Sequence, residues 1–160
     1  MKNKDAGLIL VADHITDEGN LGAIIRSAVF FEVSGLIIPK DRSAGITETV
    51  KKRSSGAYMN LPVSRIVNIG RALDALNQNG FWIIGTDEKA QESIYDFDWN
   101  RDIALILGSE GRGLSQTARK RCHQMVKIPS FSSLSTLNVS VAGGVILSEI
   151  TRQRQITNKR

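Results

Sequence analysis

Four short apolar runs, rich in β-branched residues and bounded by Gly, Asp or Pro, recur along the chain: Leu8–Val11, Leu36–Ile38, Phe81–Ile84 and Ile103–Leu107. Near-continuous apolar runs of this length belong to strands buried on both faces of a mostly parallel sheet. The stretches between them, Leu21–Phe31, Thr47–Arg53 and Ile69–Asn77, have helical spacing, as in Leu21, Ile24, Ile25 and Ala28. Asn77-Gln-Asn-Gly80 is a helix stop placed directly before the third run. A β-α-β-α order of this kind predicts an α/β fold, a mostly parallel sheet with helices on both faces.

The last third departs from that rhythm. Met125–Ile128 reads as one more short strand, and a polar loop follows over Pro129–Thr136. Asn138–Arg154 then predicts a closing helix, capped by Asn138 and striped by Val139, Ala142, Ile146 and Ile150. Gly143 and Gly144 inside it each cost up to about 1 kcal/mol against Ala, so something is expected to pack closely there.

Composition narrows the class. A length of 160 residues suits one domain over 1–160 with a full hydrophobic core. The single cysteine cannot form an internal disulfide and fits a cytoplasmic home. No apolar run approaches the roughly 20 residues that cross a bilayer. Against 16 acidic residues stand 21 basic ones, a net charge of +5 that leans towards a polyanionic partner. His14, Cys122 and His123 lack the spacing of a metal site, so no metal is expected. Lys51-Lys-Arg53, Arg152-Gln-Arg154 and Lys159-Arg160 are solvated charge or an RNA-facing surface.

Open α/β sheets build their sites at the carboxyl ends of strands, and three polar clusters fall at such ends. The first runs from Asp13 to Arg26. Asn20 can cap the helix starting there, and Gly22, four residues before Arg26, leaves room beside the guanidinium. Taken singly, Asn20 reads as a cap and Arg26 as a solvated helix charge.

The second cluster, Gly108-Ser-Glu110-Gly-Arg-Gly113, follows a strand directly. Three glycines in six residues let the backbone turn sharply and approach a ligand. The spacing is neither a dinucleotide fingerprint nor a P-loop. A cationic or hydroxyl-bearing ligand suits a loop carrying Glu110 better than phosphate does. The third cluster is Ile128-Pro129 through Leu137-Asn138-Val-Ser140, whose backbone could wrap a polar ligand.

The order and spacing of the three clusters resemble the three motifs of the SpoU/TrmH branch of the SPOUT methyltransferases. The matches are Asn20-Leu-Gly22-Ala-Ile-Ile-Arg26, Leu107-Gly108-Ser-Glu110-Gly-Arg-Gly113-Leu, and Ile128-Pro129 with Ser135-Thr136-Leu137-Asn138-Val139-Ser140-Val141-Ala142. The resemblance covers nearly the whole chain. The separate N-terminal RNA-binding domain that many members carry is not expected here, because the first strand starts almost at once, at Leu8, as in a minimal enzyme or a catalytic-domain fragment. Ser130 and Ser132 stand where the family often has Met and Gly, and Thr136 where Ser is common, with the spacing kept.

The resemblance implies transfer of a methyl group from S-adenosylmethionine to a ribose 2′-hydroxyl in RNA, with guanosine in large-subunit ribosomal RNA favoured and tRNA second. It further implies a deep C-terminal trefoil knot and a homodimer. Carried over by motif, Gly108, Ile128 and Leu137 would hold the adenosine part, with Thr86 lining that pocket. Arg26, Asn20, Glu110 and Asn138 match the polar residues around the reacting centre. The sulfonium already activates the methyl, so the protein chiefly positions donor and acceptor. An arginine, with a pKa above about 12, is not expected to deprotonate, so Arg26 is read as orienting the acceptor ribose and phosphate. Two other classes compete: a non-catalytic RNA-binding module of the same fold, and a nucleotide-binding oxidoreductase, which lacks its fingerprint here.

Overall fold

The computed structural model describes residues 6–159. Seven strands form one parallel sheet: β1 (Leu8–Asp13), β2 (Gly35–Pro39), β3 (Val63–Ile66), β4 (Trp82–Thr86), β5 (Glu92–Ser93), β6 (Ile103–Gly108) and β7 (Gln124–Lys127). Their order is β3-β2-β1-β6-β4-β7-β5. The helices are α1 (Glu18–Phe30), α2 (Glu48–Arg53), α3 (Ile69–Gln78), α4 (Gln116–Arg119) and α5 (Val139–Asn158), with a 3-10 turn over Ala57–Asn60.

All five expected strands are present, and β1 and β6 pair in register from Leu8↔Ile103 to Asp13↔Gly108. Successive strand side chains point to opposite faces, so β6 feeds two cores. Ile103, Leu105 and Leu107 join Leu21, Ile24, Ile25, Ile146 and Ile150 of α1 and α5. Ala104 and Ile106 join Ile69 and Leu73 of α3 and Ala118 of α4. Helices therefore cover both faces, as the periodicity of the chain requires.

Two strands and one helix escape sequence reading. β3 is an edge strand whose four residues are all partly or fully exposed, and β5 is only two residues long. Neither carries an apolar run. α4 is a single turn capped by Ser115.

The closing helix reaches Asn158, beyond the expected Arg154. On its inner stripe Gly143 is buried, and Ala142 only half so. A Cβ at 143 would lie 3.1 Å from Leu107 Cδ1, whereas one at 144 would meet Ser27 Oγ at 3.8 Å. The close neighbour of Gly143 is thus strand β6 of the same chain, and Gly144 faces α1.

Arg154 of α5 donates to the carbonyls of Ala6, Gly7, Trp99 and Arg101, stapling the helix to the start of β1 and the approach to β6. Arg152 pairs with Glu149 at 2.8 Å. These two basic residues are engaged with the fold itself. Arg160 lies outside the described residues. Trp99 is fully buried and its indole donates to the carbonyl of Ile94, while Trp82 is half-exposed under the Arg101 guanidinium.

Candidate active site

The sheet grows in opposite directions from β1 and β6, so these two strands flank its switch point. In open α/β sheets a crevice opens there, beyond the carboxyl ends of the strands. β1 leads into α1, which carries Asn20 and Arg26, and β6 leads into the loop that carries Glu110.

The helix caps explain how two of the amides become available. α1 begins at Glu18, earlier than expected, because Asp17 is its cap and accepts from the Asn20 backbone N–H at 2.7 Å. The expectation that Asn20 caps this helix is corrected. Its side-chain amide is thereby free, and it donates to Glu110 Oε1 at 3.3 Å. Asn138 is the cap of α5, as expected: its Oδ1 accepts from the backbone N–H groups of Ser140 and Val141. With the oxygen committed to the helix, the NH2 must face the other way. It donates to Glu110 Oε1 at 2.9 Å and to Asn20 Oδ1 at 3.0 Å.

Residues separated by 90 and 118 positions in the chain therefore close one hydrogen-bonded trio. A carboxylate receiving two amide hydrogen bonds is a fixed negative charge. It suits a cationic or hydroxyl-bearing group more than it suits phosphate.

Arg26 stands outside this trio. It is exposed on α1 and donates from Nη1 to Ser55 Oγ at 3.3 Å. The room at Gly22 is not for its guanidinium. A Cβ there would lie 2.5 Å from Cβ of Arg53 and 3.1 Å from the Val50 carbonyl oxygen, so Gly22 lets the end of α2 seat on α1. That packing sets Ser55 beside Arg26.

Thr86, Gly108 and Ile128 end or follow three adjacent strands, β4, β6 and β7, at the same edge of the sheet. The Thr86 hydroxyl is committed to the carbonyl of Ile106, at 3.1 Å. Gly108 lies under the return limb of its own loop, where a Cβ would meet Gly113 C at 2.5 Å. Leu137 is half-exposed at the end of the Ser-rich loop. Among the described residues, none of 129–137 makes a backbone–backbone hydrogen bond. An adenosine moiety read through main-chain groups needs such open donors and acceptors beside apolar contacts. Leu137, whose own main-chain groups make no hydrogen bond among the described residues, fits such a group.

Sequence reading passed over a second arrangement at this edge. Asp13, at the end of β1, has a fully buried side chain. Its Oδ2 accepts from the Ser115 N–H and its Oδ1 meets His14 Nδ1, both at 2.6 Å. His14 has φ 58°, a left-handed conformation that non-glycine residues rarely adopt. No spacing rule signals such a pair. His123 is structural: its Nδ1 accepts from the Ile83 N–H at 2.8 Å. No group of three or more potential metal ligands occurs among the described residues.

The SpoU rRNA Methylase family model matches residues 7–148. The putative TrmH family tRNA/rRNA methyltransferase YacO of Bacillus subtilis is 39% identical over 145 residues, which cover 91% of this chain and 58% of the relative. The 23S rRNA (guanosine-2'-O-)-methyltransferase RlmB of Coxiella burnetii is 43% identical over 154 residues, covering 96% and 62%. Among solved structures, the SpoU methyltransferase AviRb from Streptomyces viridochromogenes superposes with a TM-score of 0.90 at 32% identity, covering 96% of this chain and 62% of that one. Its complex with the cofactor AdoMet gives 0.86 at 34%, covering 95% and 62%. The chain thus spans about 60% of the length of these relatives. A match running from the approach to β1 well into α5, over a site assembled from all three polar motifs, makes this chain a member of the SpoU rRNA methylase family.

Proposed function

We propose that the protein transfers a methyl group from S-adenosylmethionine to a ribose 2′-hydroxyl in RNA, with guanosine in large-subunit ribosomal RNA as the favoured acceptor. The single observation that carries this reading is the trio Asn20–Glu110–Asn138, which draws all three motifs to one point at the switch of the sheet. The relatives named as 23S rRNA guanosine-2′-O-methyltransferases support the acceptor. Those named tRNA/rRNA methyltransferases keep tRNA as the second acceptor.

When bound, S-adenosylmethionine supplies a methyl group already activated by its sulfonium. Thr86, Gly108, Ile128 and Leu137 would hold it, the last three largely through main-chain groups. The residues of the chain then have to orient the acceptor. Glu110, held by two amides, offers Oε2 to a ribose hydroxyl or a neighbouring positive charge. Arg26, tethered at Nη1, presents its other N–H groups to the ribose and its phosphate, and the hydroxyl proton leaves to a phosphate oxygen or to solvent.

The reading includes a homodimer, a cytoplasmic location and a knotted C-terminal third. The strand order supports the knot, because β6 and β7 insert between strands formed earlier in the chain. Apolar exposure supports the dimer: Phe30, Phe131, Leu134 and Val141 are each at least half-exposed. A surface groove of about 490 Å³ lies between α1 and α5, lined in part by Ser27, Tyr95, Val141 and Gly144. No described helix is long and apolar enough to cross a membrane.

The test is methyl transfer from labelled S-adenosylmethionine to total RNA from cells lacking the protein, with the methylated ribose mapped. Label in ribosomal guanosine is expected. Label in tRNA selects the second acceptor, and no label with intact cofactor binding selects an RNA-binding module. Arg26→Lys should lose activity, since an ammonium cannot make the forked contact. Sedimentation showing a monomer at micromolar concentration would remove the dimer.

A further inference from the structure

A pocket of about 360 Å³ opens beside the trio, at the carboxyl ends of β1 and β6. Asp13, His14, Arg42, Glu110, Arg112 and Ser115 are among the residues that line it. Its carboxylates are held by the fold, Glu110 through Oε1 with its Oε2 left for the acceptor ribose. Asp13 is held by the Ser115 N–H and His14, and Glu110 by Asn20 and Asn138. Its two arginines are not. Arg42 and Arg112 are exposed, and neither has a hydrogen-bond or ion-pair partner among the described residues.

The backbone adds a second observation. His14, the residue after β1, and Arg42, in the loop after β2, both have positive φ, 58° and 51°. Left-handed backbone at side-chain-bearing residues is unfavourable and collects at ligand sites, where it aims a group the fold does not need. Two such residues line this one pocket.

We propose that this pocket is a subsite for a phosphodiester of the RNA next to the acceptor nucleotide, gripped by Arg42 and Arg112. The inference rests on the methyltransferase reading and adds to it where the backbone of the substrate lies. Forked guanidinium donors suit a phosphate's paired oxygens. The trio, whose charge disfavours phosphate, is left for the acceptor ribose. The Asp13–His14 pair forms the floor: the buried carboxylate fixes the imidazole, which leaves Nε2 as the ring nitrogen available to the ligand.

The experiment measures binding of a fluorescein-labelled, mixed-sequence RNA oligonucleotide to the whole protein across a salt series, alongside S-adenosylmethionine binding. Arg42→Ala and Arg112→Ala are each expected to weaken RNA binding about tenfold in every sequence context, and to lower the slope of log affinity against log salt by about 0.7–0.9 per lost contact. Cofactor affinity should not change. Arg42→Lys with Arg112→Lys should restore the salt slope and part of the affinity.

Wild-type affinity and slope in the double alanine variant would overturn the subsite, as would a loss confined to one base identity, which marks base reading instead. If the alanine variants also lose the cofactor, the lysine pair decides, and a slope left unrestored by it would overturn the proposal. A wild-type protein that methylates no RNA sinks the parent reading. An active wild type matched by the double alanine variant sinks only this one.

Discussion

Gly108→Ala drives a methyl group straight into main chain. A Cβ at this position would lie 2.5 Å from Gly113 C, 2.7 Å from Leu114 N and 2.8 Å from Gly113 O. Carbon contacts settle at about 3.5–4.0 Å, so the return limb of the loop has to move by about 1 Å. All three obstacles are backbone atoms, so no side chain can swing aside. That limb is tied by Ser109 N–H to Gly113 O at 3.2 Å and Gly113 N–H to Ser109 O at 2.9 Å. A shift of about 1 Å takes both beyond hydrogen-bonding range. Losing the two costs about 1–3 kcal/mol, which matches the usual penalty for forcing a methyl group into a packed site.

An ordinary domain survives that loss, but its site should not. Glu110 rides on the same loop, and misplacing a positioning group by about 1 Å can cost about 100-fold in rate. Gly111→Ala is the control. Nothing lies within 4 Å of its Cβ, while its φ of 80° penalises any side chain by about 1–2 kcal/mol. Urea melts should therefore show comparable destabilisation in the two variants, and methyl-transfer assays a far larger loss in Gly108→Ala. Equal activity loss in both, or wild-type stability in Gly108→Ala, would refute the close approach of strand and loop.

Gly144→Ala should stabilise the chain by about 0.5–1 kcal/mol, raising the melting temperature by about 1–4 °C, because its Cβ meets only Ser27 Oγ at 3.8 Å. Cys122 should label slowly with iodoacetamide. Burial pushes its thiol up to about 11 from 9.0, which leaves about a hundredfold less thiolate at pH 8 than an unperturbed cysteine has. Glu149 has its carboxyl held below the usual range, first by the Arg152 guanidinium, against the opposing effect of burial. Its contribution to stability is full above the unfolded carboxylate pKa and is lost as pH falls through the folded one. Glu149→Gln should accordingly flatten the acid limb of a stability-versus-pH curve, and an unchanged limb would show that the pair contributes nothing.

Much of the architecture was legible in the order of residues. Runs such as Ile103–Leu107 bury both faces of their strand, and that demand appears directly as an unbroken apolar string. The helices announced themselves through spacing, as at Leu21, Ile24, Ile25 and Ala28, all of which are buried. The edge strand Val63–Ile66 left no such trace, because main-chain pairing to β2 holds it while only its two end residues, Val63 and Ile66, pack partly buried against the cores. Asn138 was legible as a cap because capping is local chemistry, settled within three residues. By the same local logic Asn20 looked like a cap, and there the reading failed: Asp17 also fits the position and takes it.

What no local pattern could supply is the meeting of Asn20, Glu110 and Asn138, since hydrogen bonds between residues 90 and 118 positions apart depend on which strands lie side by side. The buried Asp13–His14 pair, and Arg42 and Arg112 without partners among the described residues, belong to the same class. Whether a charge is occupied or available is decided by its neighbours in space, so Arg154 became a staple for four carbonyls while Arg42 stayed open to solvent. Periodicity encodes which side of an element is buried; only the packed chain determines which polar groups are left over for a ligand.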